Sequence, residues 1–350
     1  MQSSSIQKFF HNNILVAYLV AILFLCFSIF VGISIGTLSI PFSTILTIFG
    51  SEVLQLPIQT AVEPMLTNIV IDIRAPRVLL ALFVGASLAV AGAAFQGFLK
   101  NPLADPYTLG VSSGAAVGAV FVFFLGISLP ILGAFTLPVV SIVSGFVTLF
   151  LVIFFARLVQ RSMSAETIIL AGIIFSSFLG SLISLMVAMT GEELRQIISW
   201  LMGSVAMRGW NYVYLIIPFF LLGTLLLLAN SRELNALAFG EETAKHLGVN
   251  VQVRKMMILL GASLLTGSAV AVSGTIGFVG LVIPHLTRLL WGSDHRHLLP
   301  LSMLVGGGFL ILTDLAARTI LSPTELPIGV ITALIGGPVF AMILVRQRRK

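Results

Sequence analysis

The chain has 350 residues, of which 58% are hydrophobic and only 9% are charged, and its mean hydropathy is +1.10. A water-soluble domain of this size needs a far more charged surface, so these values exclude a soluble enzyme and indicate a protein that crosses a membrane several times. The net charge of +6 then reflects orientation in the membrane, since there is no soluble basic domain to bind nucleic acid.

Membrane spans are predicted where about 20 apolar residues lie between charges. The third and fourth are separated at Pro130, Gly133 and Pro138, and the seventh and eighth around Ser273-Gly274, where Gly permits a tight turn. We therefore predict an all-α membrane protein with one domain over residues 1–350, built as a densely packed bundle of about ten spans: 14–36, 78–98, 111–129, 137–155, 168–190, 212–228, 256–272, 275–290, 298–313 and 326–345.

The first apolar run is expected to be a retained span. It is too long for the apolar region of a signal peptide, and no A-x-A-like cleavage site follows it. The only cysteine, Cys26, lies within it, so one chain can build neither a disulfide nor a cysteine-based metal site.

An even number of spans places both termini on one side of the membrane. The basic tail Arg346, Arg348, Arg349 and Lys350 indicates that this side is the cytoplasm. Fourteen of the 19 Lys and Arg residues then lie inside: Lys8, Lys100, Arg157, Arg161, Arg232, Lys245, Arg254, Lys255, Arg288, Arg296 and the tail. Five lie outside: Arg74, Arg77, Arg195, Arg208 and Arg318.

Arg74 and Arg77 stand directly before the second span. A guanidinium group remains charged in proteins, and placing one near the bilayer centre costs about 2.5–3.5 kcal/mol, so we expect both at the outer membrane surface. Their spacing of three residues would point both side chains along one helix face, with Pro76 suited to the first turn.

The second span is followed by Asn101-Pro102-Leu103-Ala104-Asp105-Pro106, whose prolines should form a rigid turn. Residues Gly85–Pro102 also resemble Gly267–Pro284 at a constant offset, with six identities that include Gly92/Gly274 and Pro102/Pro284. Duplicated halves are common in transporters, and small residues also recur in any packed membrane helix, so both explanations stay open.

The long inner loop 229–255 contains a short charged helix. Glu241 and Glu242 begin it, Lys245 and His246 end it, and Gly248 stops it, an order that matches the helix dipole. It could be a solvated connector. Alternatively, Ala244 and Leu247 share one face at i, i+3 spacing and could dock on a cytoplasmic partner.

Other sequence features argue against a metal site, ATP binding and a proton or sodium relay in this chain. His285, His295 and His297 lie close in sequence but lack acidic residues at ligand spacing, so no metal site is predicted. No G-x-x-x-x-G-K-[ST] motif is present to bind ATP. Asp314 and Glu325 are expected at the outer ends of the ninth and tenth spans, which leaves no carboxylate at mid-depth for a proton or sodium relay.

Several motifs follow one another along the chain: RAPR from Arg74, NPLADPYTLGVSSGA from Asn101, GEETAKHLGVN from Gly240, GFVGLVIPHLTRLL from Gly277, SDHRHLLP from Ser293, DLAAR from Asp314 and ELPIGVITALIGGPVF from Glu325. Together they resemble the FecCD-type permeases of ABC importers for iron chelates, heme and vitamin B12. The resemblance covers the chain from about Thr37 to the C-terminus.

The resemblance implies a type II ABC importer permease in a bacterial cytoplasmic membrane, paired with a second copy or a sister permease. Two separate ATPase subunits would hold ATP and Mg, and this chain would hold no cofactor. A loaded extracytoplasmic binding protein would dock its acidic residues on Arg74, Arg77 and Arg318. The ATPases would contact the coupling segment, with Gly240, Glu241, Glu242, Ala244, Lys245, His246, Leu247 and Gly248. Gate residues would lie near 164–167. Iron-siderophore is the first cargo by this resemblance, with cobalamin and heme as alternatives.

Overall fold

The computed structural model describes residues 13–36, 38–56, 62–160 and 164–348, and within these ranges the chain is helical with no strand. The all-α prediction is confirmed for this part of the chain. Lys8, Arg161, Arg349 and Lys350, which entered the charge count, lie outside the described residues.

The α-helices are numbered α1 to α15 along the described chain, and each predicted span overlaps one of them. Their bounds are α1 Ile14–Ser34, α2 Phe42–Ile48, α3 Pro64–Asn68, α4 Ala75–Phe98, α5 Val111–Leu125, α6 Thr136–Val159, α7 Ala165–Met189, α8 Leu194–Leu201, α9 Gly209–Ala229, α10 Ser231–Ala238, α11 Glu241–His246, α12 Val251–Ser273, α13 Val279–Trp291, α14 His295–Thr319 and α15 Ile328–Arg348.

Seven helical runs in the described residues are long and apolar enough to cross a membrane. Shorter apolar helices accompany them, among them α5 and α13. The most apolar window of the run 64–98 is 83% buried, whereas those of α1 and α7 are only 17% buried. The run that contains α4 is therefore central, and α1 and α7 face lipid or another subunit.

Two helices continue past the charged residues that bounded the predicted spans. A π-helical segment, Ile69–Arg74, joins α3 to α4, so Arg74 and Arg77 lie within one continuous helical run. Likewise α14 continues to Thr319 and contains Asp314 and Arg318. Asp314 is 1% exposed and lies five residues before Thr319, the last residue of α14, so it is near the end of the helix and not at its middle. The charge rule failed because these charged groups find partners inside the bundle: Asp314 pairs with Arg77, and Arg74 and Arg318 donate to backbone carbonyls of the first helix and the turn after it.

Backbones approach closely where glycines meet. A Cβ atom at Gly92 would lie 1.9 Å from the Gly280 carbonyl oxygen, and one at Gly85 would lie 2.3 Å from the Gly306 carbonyl oxygen. These positions bring α4 against α13 and α14, as small residues do in membrane bundles. The Gly306-Gly307-Gly308 run therefore serves helix packing.

We expect Gly92→Ala to destabilise the chain by at least ~2 kcal/mol, because α4 and α13 must separate to admit the methyl group. The measurement is the Tm of the isolated chain in detergent. Gly180→Ala in α7 is the matched control, since nothing lies within 4 Å of its Cβ position. Equal Tm values for the two variants would contradict the close helix contact.

Two irregular segments, one around Tyr107 and one after α12, interrupt the bundle and form hydrogen bonds with each other. The helix α12 ends at Ser273, and Gly274 follows with φ +72°, a conformation that favours glycine. Tyr107 Oη donates to the Ile276 carbonyl at 2.6 Å and accepts from the Ile276 N–H at 2.9 Å. The similar stretches 85–102 and 267–284 differ in local structure, because Gly92 lies inside α4 whereas the corresponding Gly274 follows the last residue of α12.

Candidate functional site

The residues predicted to bind partners lie at opposite ends of α4. Arg77 is in its first turn, and Lys100 follows its last residue, Phe98, by two positions. A helix of 24 residues is about 36 Å long, enough to cross the hydrocarbon core. The end of the bundle that holds Arg77 is called the Arg77 end below. The opposite end, at Lys100, is called the Lys255 end after Lys255 of α12, which lines a cavity together with Lys100.

Arg74 caps the C-terminal end of α1. Its Nη1 donates to the carbonyls of Ile33 at 2.7 Å and Ser34 at 2.9 Å, and its Nη2 donates to the Leu38 carbonyl. The last carbonyls of a helix have no partner within the helix and carry its partial negative charge, so a guanidinium group is well matched to them. Arg74 is 5% exposed.

Arg77 binds two carboxylates. Its Nε donates to Asp314 Oδ1 at 3.1 Å and Oδ2 at 3.0 Å, and its Nη2 donates to Asp314 Oδ1 at 2.9 Å. Its Nη1 and Nη2 donate to Glu325 Oε1 at 2.8 Å and Oε2 at 3.1 Å. Both edges of the guanidinium plane are therefore occupied by bidentate pairs.

Arg318 lies one helical turn after Asp314, with 3.7 Å between its Nε and Asp314 Oδ2. Its Nη2 donates to the Gly32 carbonyl of α1. The three arginines predicted to dock a partner thus lie close together, but Arg74 and Arg318 are buried and donate to carbonyls of the first helix or the turn after it. The sequence-based picture of three outward-facing charges is corrected in this respect, and docking through the group stays a prediction.

At the Lys255 end, the coupling segment is held by the first turns of α12. Lys255 Nζ lies 2.6 Å from Glu241 Oε1, and the Lys255 side chain is 1% exposed. Its neighbour Arg254 donates to Asn230 Oδ1 at 3.0 Å and pairs with Glu233 at 3.2 Å. Consecutive residues of α12 therefore fix α11 and α10.

A second set of contacts joins α10 to the start of α14. Asn235 donates to Asp294 Oδ1 at 2.7 Å, and the Asn235 amide oxygen accepts from the His295 N–H at 2.9 Å. Hydrogen bonds from Arg296, and secondarily from Asn235, hold the pKa of Asp294 well below its usual range. Asp294 is therefore ionised at neutral pH and caps α14 as a charged group.

The coupling residues divide into an inward and an outward group. Ala244 is fully buried in the core, and Glu241 is half-buried on Lys255. Glu242, Lys245, His246, Leu247 and Gly248 are exposed. The prediction that Ala244 and Leu247 share one docking face is wrong, because Ala244 packs against the permease itself. Leu247 is 67% exposed.

Sequence reasoning missed Phe239, which lies between α10 and α11 and is 79% exposed. Its sequence context gave no signal, because Leu237 and Ala238 directly before it are also apolar and a core aromatic residue would have the same neighbours. Phe239 and Leu247 flank α11, and an exposed aromatic side chain beside an exposed Leu is typical of a protein interface.

A cavity of about 330 Å³ lies between the coupling segment and the start of α7. Its lining includes Lys100, Ser164, Glu166, Glu241 and Lys255. Ser164 caps α7 by accepting from the Thr167 N–H at 3.3 Å, and Thr167 donates to Gln160 Oε1 at 2.8 Å. The region predicted to hold gate residues thus shares a cavity with the coupling segment.

The described residues hold no group of three His, Cys, Asp or Glu side chains arranged for a metal ion. His295 Nδ1 lies 2.7 Å from Asn235 Oδ1, and His297 Nδ1 lies 3.3 Å from Tyr18 Oη. Both histidines therefore have structural hydrogen-bond partners at the Lys255 end.

Comparison with known proteins relates this geometry to transport. The model of the FecCD transport family matches residues 20–346. The chain is 62% identical to an uncharacterized ABC transporter permease of Bacillus subtilis, YvrB, over 97% of this chain and 96% of that protein. It is 43% identical to the cobalamin import permease BtuC of Halobacterium salinarum, over 82% and 76% of the two chains.

A solved structure, described as an inward-facing conformation of a metal-chelate type ABC transporter, has the same fold. It superposes with a TM-score of 0.81 at 36% identity, and the match covers 94% of this chain and 98% of that one. The similarity therefore extends over almost the full length of both chains.

Proposed function

This chain belongs to the FecCD transport family, and we propose that it forms the membrane path of an ATP-driven importer for a metal chelate, with iron-siderophore first. It is a permease subunit and not an enzyme, because the ATPase of such transporters is a separate subunit. ATP and Mg would be bound there. The observation that carries the proposal is that α4 joins two clusters of charged side chains, one around Arg77 and one around Lys255, at its opposite ends.

The Lys255 end is suited to an ATPase. Phe239 and Leu247 project as apolar anchors, and the exposed charges of α11 surround them. Lys255 and Asn235 connect this surface to α12 and α14 through short polar contacts. Movement of the surface would therefore be carried into spanning helices and into the cavity beside Ser164, where we place the inner gate.

The Arg77 end is suited to an extracytoplasmic binding protein with acidic contact residues. Arg77 is the member of the arginine group that can accept a new partner, because Glu325 on its outer edge is 44% exposed. Arg74 and Arg318 act by holding α1 against α4 and α14. This orientation places both termini in the cytoplasm, in a bacterial cytoplasmic membrane.

A second permease copy, or a sister permease, would complete the substrate path. The helix α7 begins at the cavity and crosses the bundle with few buried residues. Ser177, Ser181 and Ser184 are exposed at i, i+4 and i+7 spacing and form a hydroxyl-bearing face. Small hydroxyl-bearing residues of this kind allow close helix contact and are suited to an interface between two copies.

An ATP-independent carrier is the more distant alternative, and it would need a carboxylate that titrates within the membrane. Asp314 is the carboxylate buried within α14, and it is bound by Arg77 with Arg318 close by. A proton relay would require this carboxylate to give up its guanidinium partners, which would leave buried positive charge uncompensated and is unfavourable.

The proposal is tested by expressing the tagged chain in its own host, identifying the proteins that co-purify and reconstituting the complex in liposomes. We expect an ATPase with a P-loop and an extracytoplasmic binding protein. ATP-dependent uptake should be measured for a ferric hydroxamate siderophore, hemin and cobalamin. Uptake without ATP would refute the importer, whereas uptake of cobalamin or hemin alone would overturn only the cargo.

A further inference from the structure

The outer edge of Arg77 is occupied by a side chain of the same chain. Glu325 accepts from Nη1 at 2.8 Å and from Nη2 at 3.1 Å. Asp314 occupies the other edge through Nε and Nη2. A guanidinium group has five N–H donors in a fixed plane, so a third carboxylate cannot bind Arg77 in a bidentate manner unless one of these leaves.

The two carboxylates differ in how readily they can leave. Asp314 is 1% exposed, lies inside α14 and also neighbours Arg318. Removing it would leave buried positive charge without compensation, which is strongly unfavourable. Glu325 lies in the connection between α14 and α15 and is 44% exposed, and ion pairs with such partners contribute little net free energy.

The neighbouring arginines offer no alternative place for an incoming acid. Arg74 donates to three carbonyls at the end of α1, and Arg318 donates to a fourth. Both are buried. Within the group Arg74, Arg77 and Arg318, an incoming acidic side chain therefore meets one guanidinium edge that it could take over, the one held by Glu325.

We propose that Glu325 is an internal competitor for the docking site: it occupies the edge of Arg77 that an acidic residue of the binding protein takes when it docks. This rests on the proposed docking at the Arg77 end. In the free permease Glu325 satisfies Arg77 and lowers its affinity for other acids. Docking exchanges one carboxylate for another while Asp314 stays in place.

The exchange links docking to the last spanning helix. Glu325 precedes Ile328, the first residue of α15, by three positions. Next to it, the Leu326 N–H donates to the Ala317 carbonyl at 2.9 Å, and the Ile328 N–H donates to the Gly203 carbonyl at 3.0 Å. Displacement of Glu325 frees one of the restraints at the start of α15, while these backbone bonds retain the helix.

The test is the Kd of the binding protein that co-purifies with the tagged chain, measured on the complex in nanodiscs. Glu325→Gln should tighten binding about fivefold, the factor expected when an ion pair of this kind no longer competes. Glu192→Gln is the matched control. It removes the same charge from an exposed position after α7, at the same end of the bundle.

Arg77→Gln separates this inference from the docking proposal. It should weaken binding, and adding Glu325→Gln to it should bring no recovery. Unchanged binding in Arg77→Gln would overturn docking at Arg77 and the competition with it. Weaker binding in Arg77→Gln without tightening in Glu325→Gln would overturn the competition alone.

Equal tightening by Glu192→Gln and Glu325→Gln would also overturn the competition, since long-range charge would then explain the effect. If the Arg77 variant is not recovered from membranes, the comparison of these two Glu variants still decides between competition and long-range charge.

Discussion

Arg74→Glu is expected to abolish recovery of folded protein. The new carboxylate would face the carbonyls of Ile33, Ser34 and Leu38, which now accept hydrogen bonds from the guanidinium group. Loss of a buried charged partner costs about 3–5 kcal/mol, a large share of the ~5–15 kcal/mol by which proteins are stable. The measurement is the yield of monodisperse protein in detergent, with the Tm of any material recovered.

Arg195→Glu provides the control for this reversal. Arg195 is exposed in α8, and the substitution changes the net charge by the same amount. We expect a yield and Tm close to those of the unaltered chain. An Arg74→Glu protein of normal yield and Tm would contradict the capping of α1 and would favour an outward-facing Arg74.

Phe239→Asp and Leu247→Asp are each expected to weaken association with the ATPase by about 30-fold or more. Both side chains are exposed in the permease alone and flank α11, so an aspartate there would be desolvated on docking without a designed partner. Truncating an anchor of this kind typically costs 2 kcal/mol or more of binding free energy. The measurement is retention of the ATPase during purification and its Kd in nanodiscs.

Met207→Asp is the matched control, because Met207 is fully exposed but lies beyond α8, toward the Arg77 end. It should leave ATPase binding unchanged. Normal ATPase retention by both Phe239→Asp and Leu247→Asp would remove the coupling assignment from this segment. A folded permease that has lost the ATPase would support it, since neither side chain contributes to the permease core.

The course of the spans could be predicted because apolar length and small residues act locally. Ser273-Gly274 marked the end of α12, and the Pro130–Pro138 region separated α5 from α6. The predicted span bounds differ from the helix bounds where a charged side chain has a partner inside the bundle. The helix α14 continues past Asp314, and the helical run into α4 includes Arg74 and Arg77. A rule that reads each charge as a helix end cannot anticipate pairs separated by more than 200 residues, such as Arg77 with Asp314.

The sequence proposed which residues form the candidate sites but could not separate buried members from exposed ones. The spacing of Ala244 and Leu247 gave one helix face, yet the neighbouring helices bury Ala244 and leave Leu247 exposed. Phe239 was overlooked because nothing in a single sequence separates an exposed aromatic residue from a core one. Conversely, the charge order of α11 was correct, because helix dipoles and caps depend on residues close in sequence.

The sequence by itself determined that this chain is a multi-span helical permease of the FecCD family, because hydropathy, glycine spacing and motif order are local properties. Only the tertiary structure decided which charges are available to partners. Burial and pairing depend on which distant helices lie next to each charge. Arg74 and Arg318 donate hydrogen bonds to carbonyls of α1, and Arg77 forms an ion pair with Asp314 of α14. The same packing leaves Glu325, Phe239 and Leu247 exposed at the two ends of the bundle.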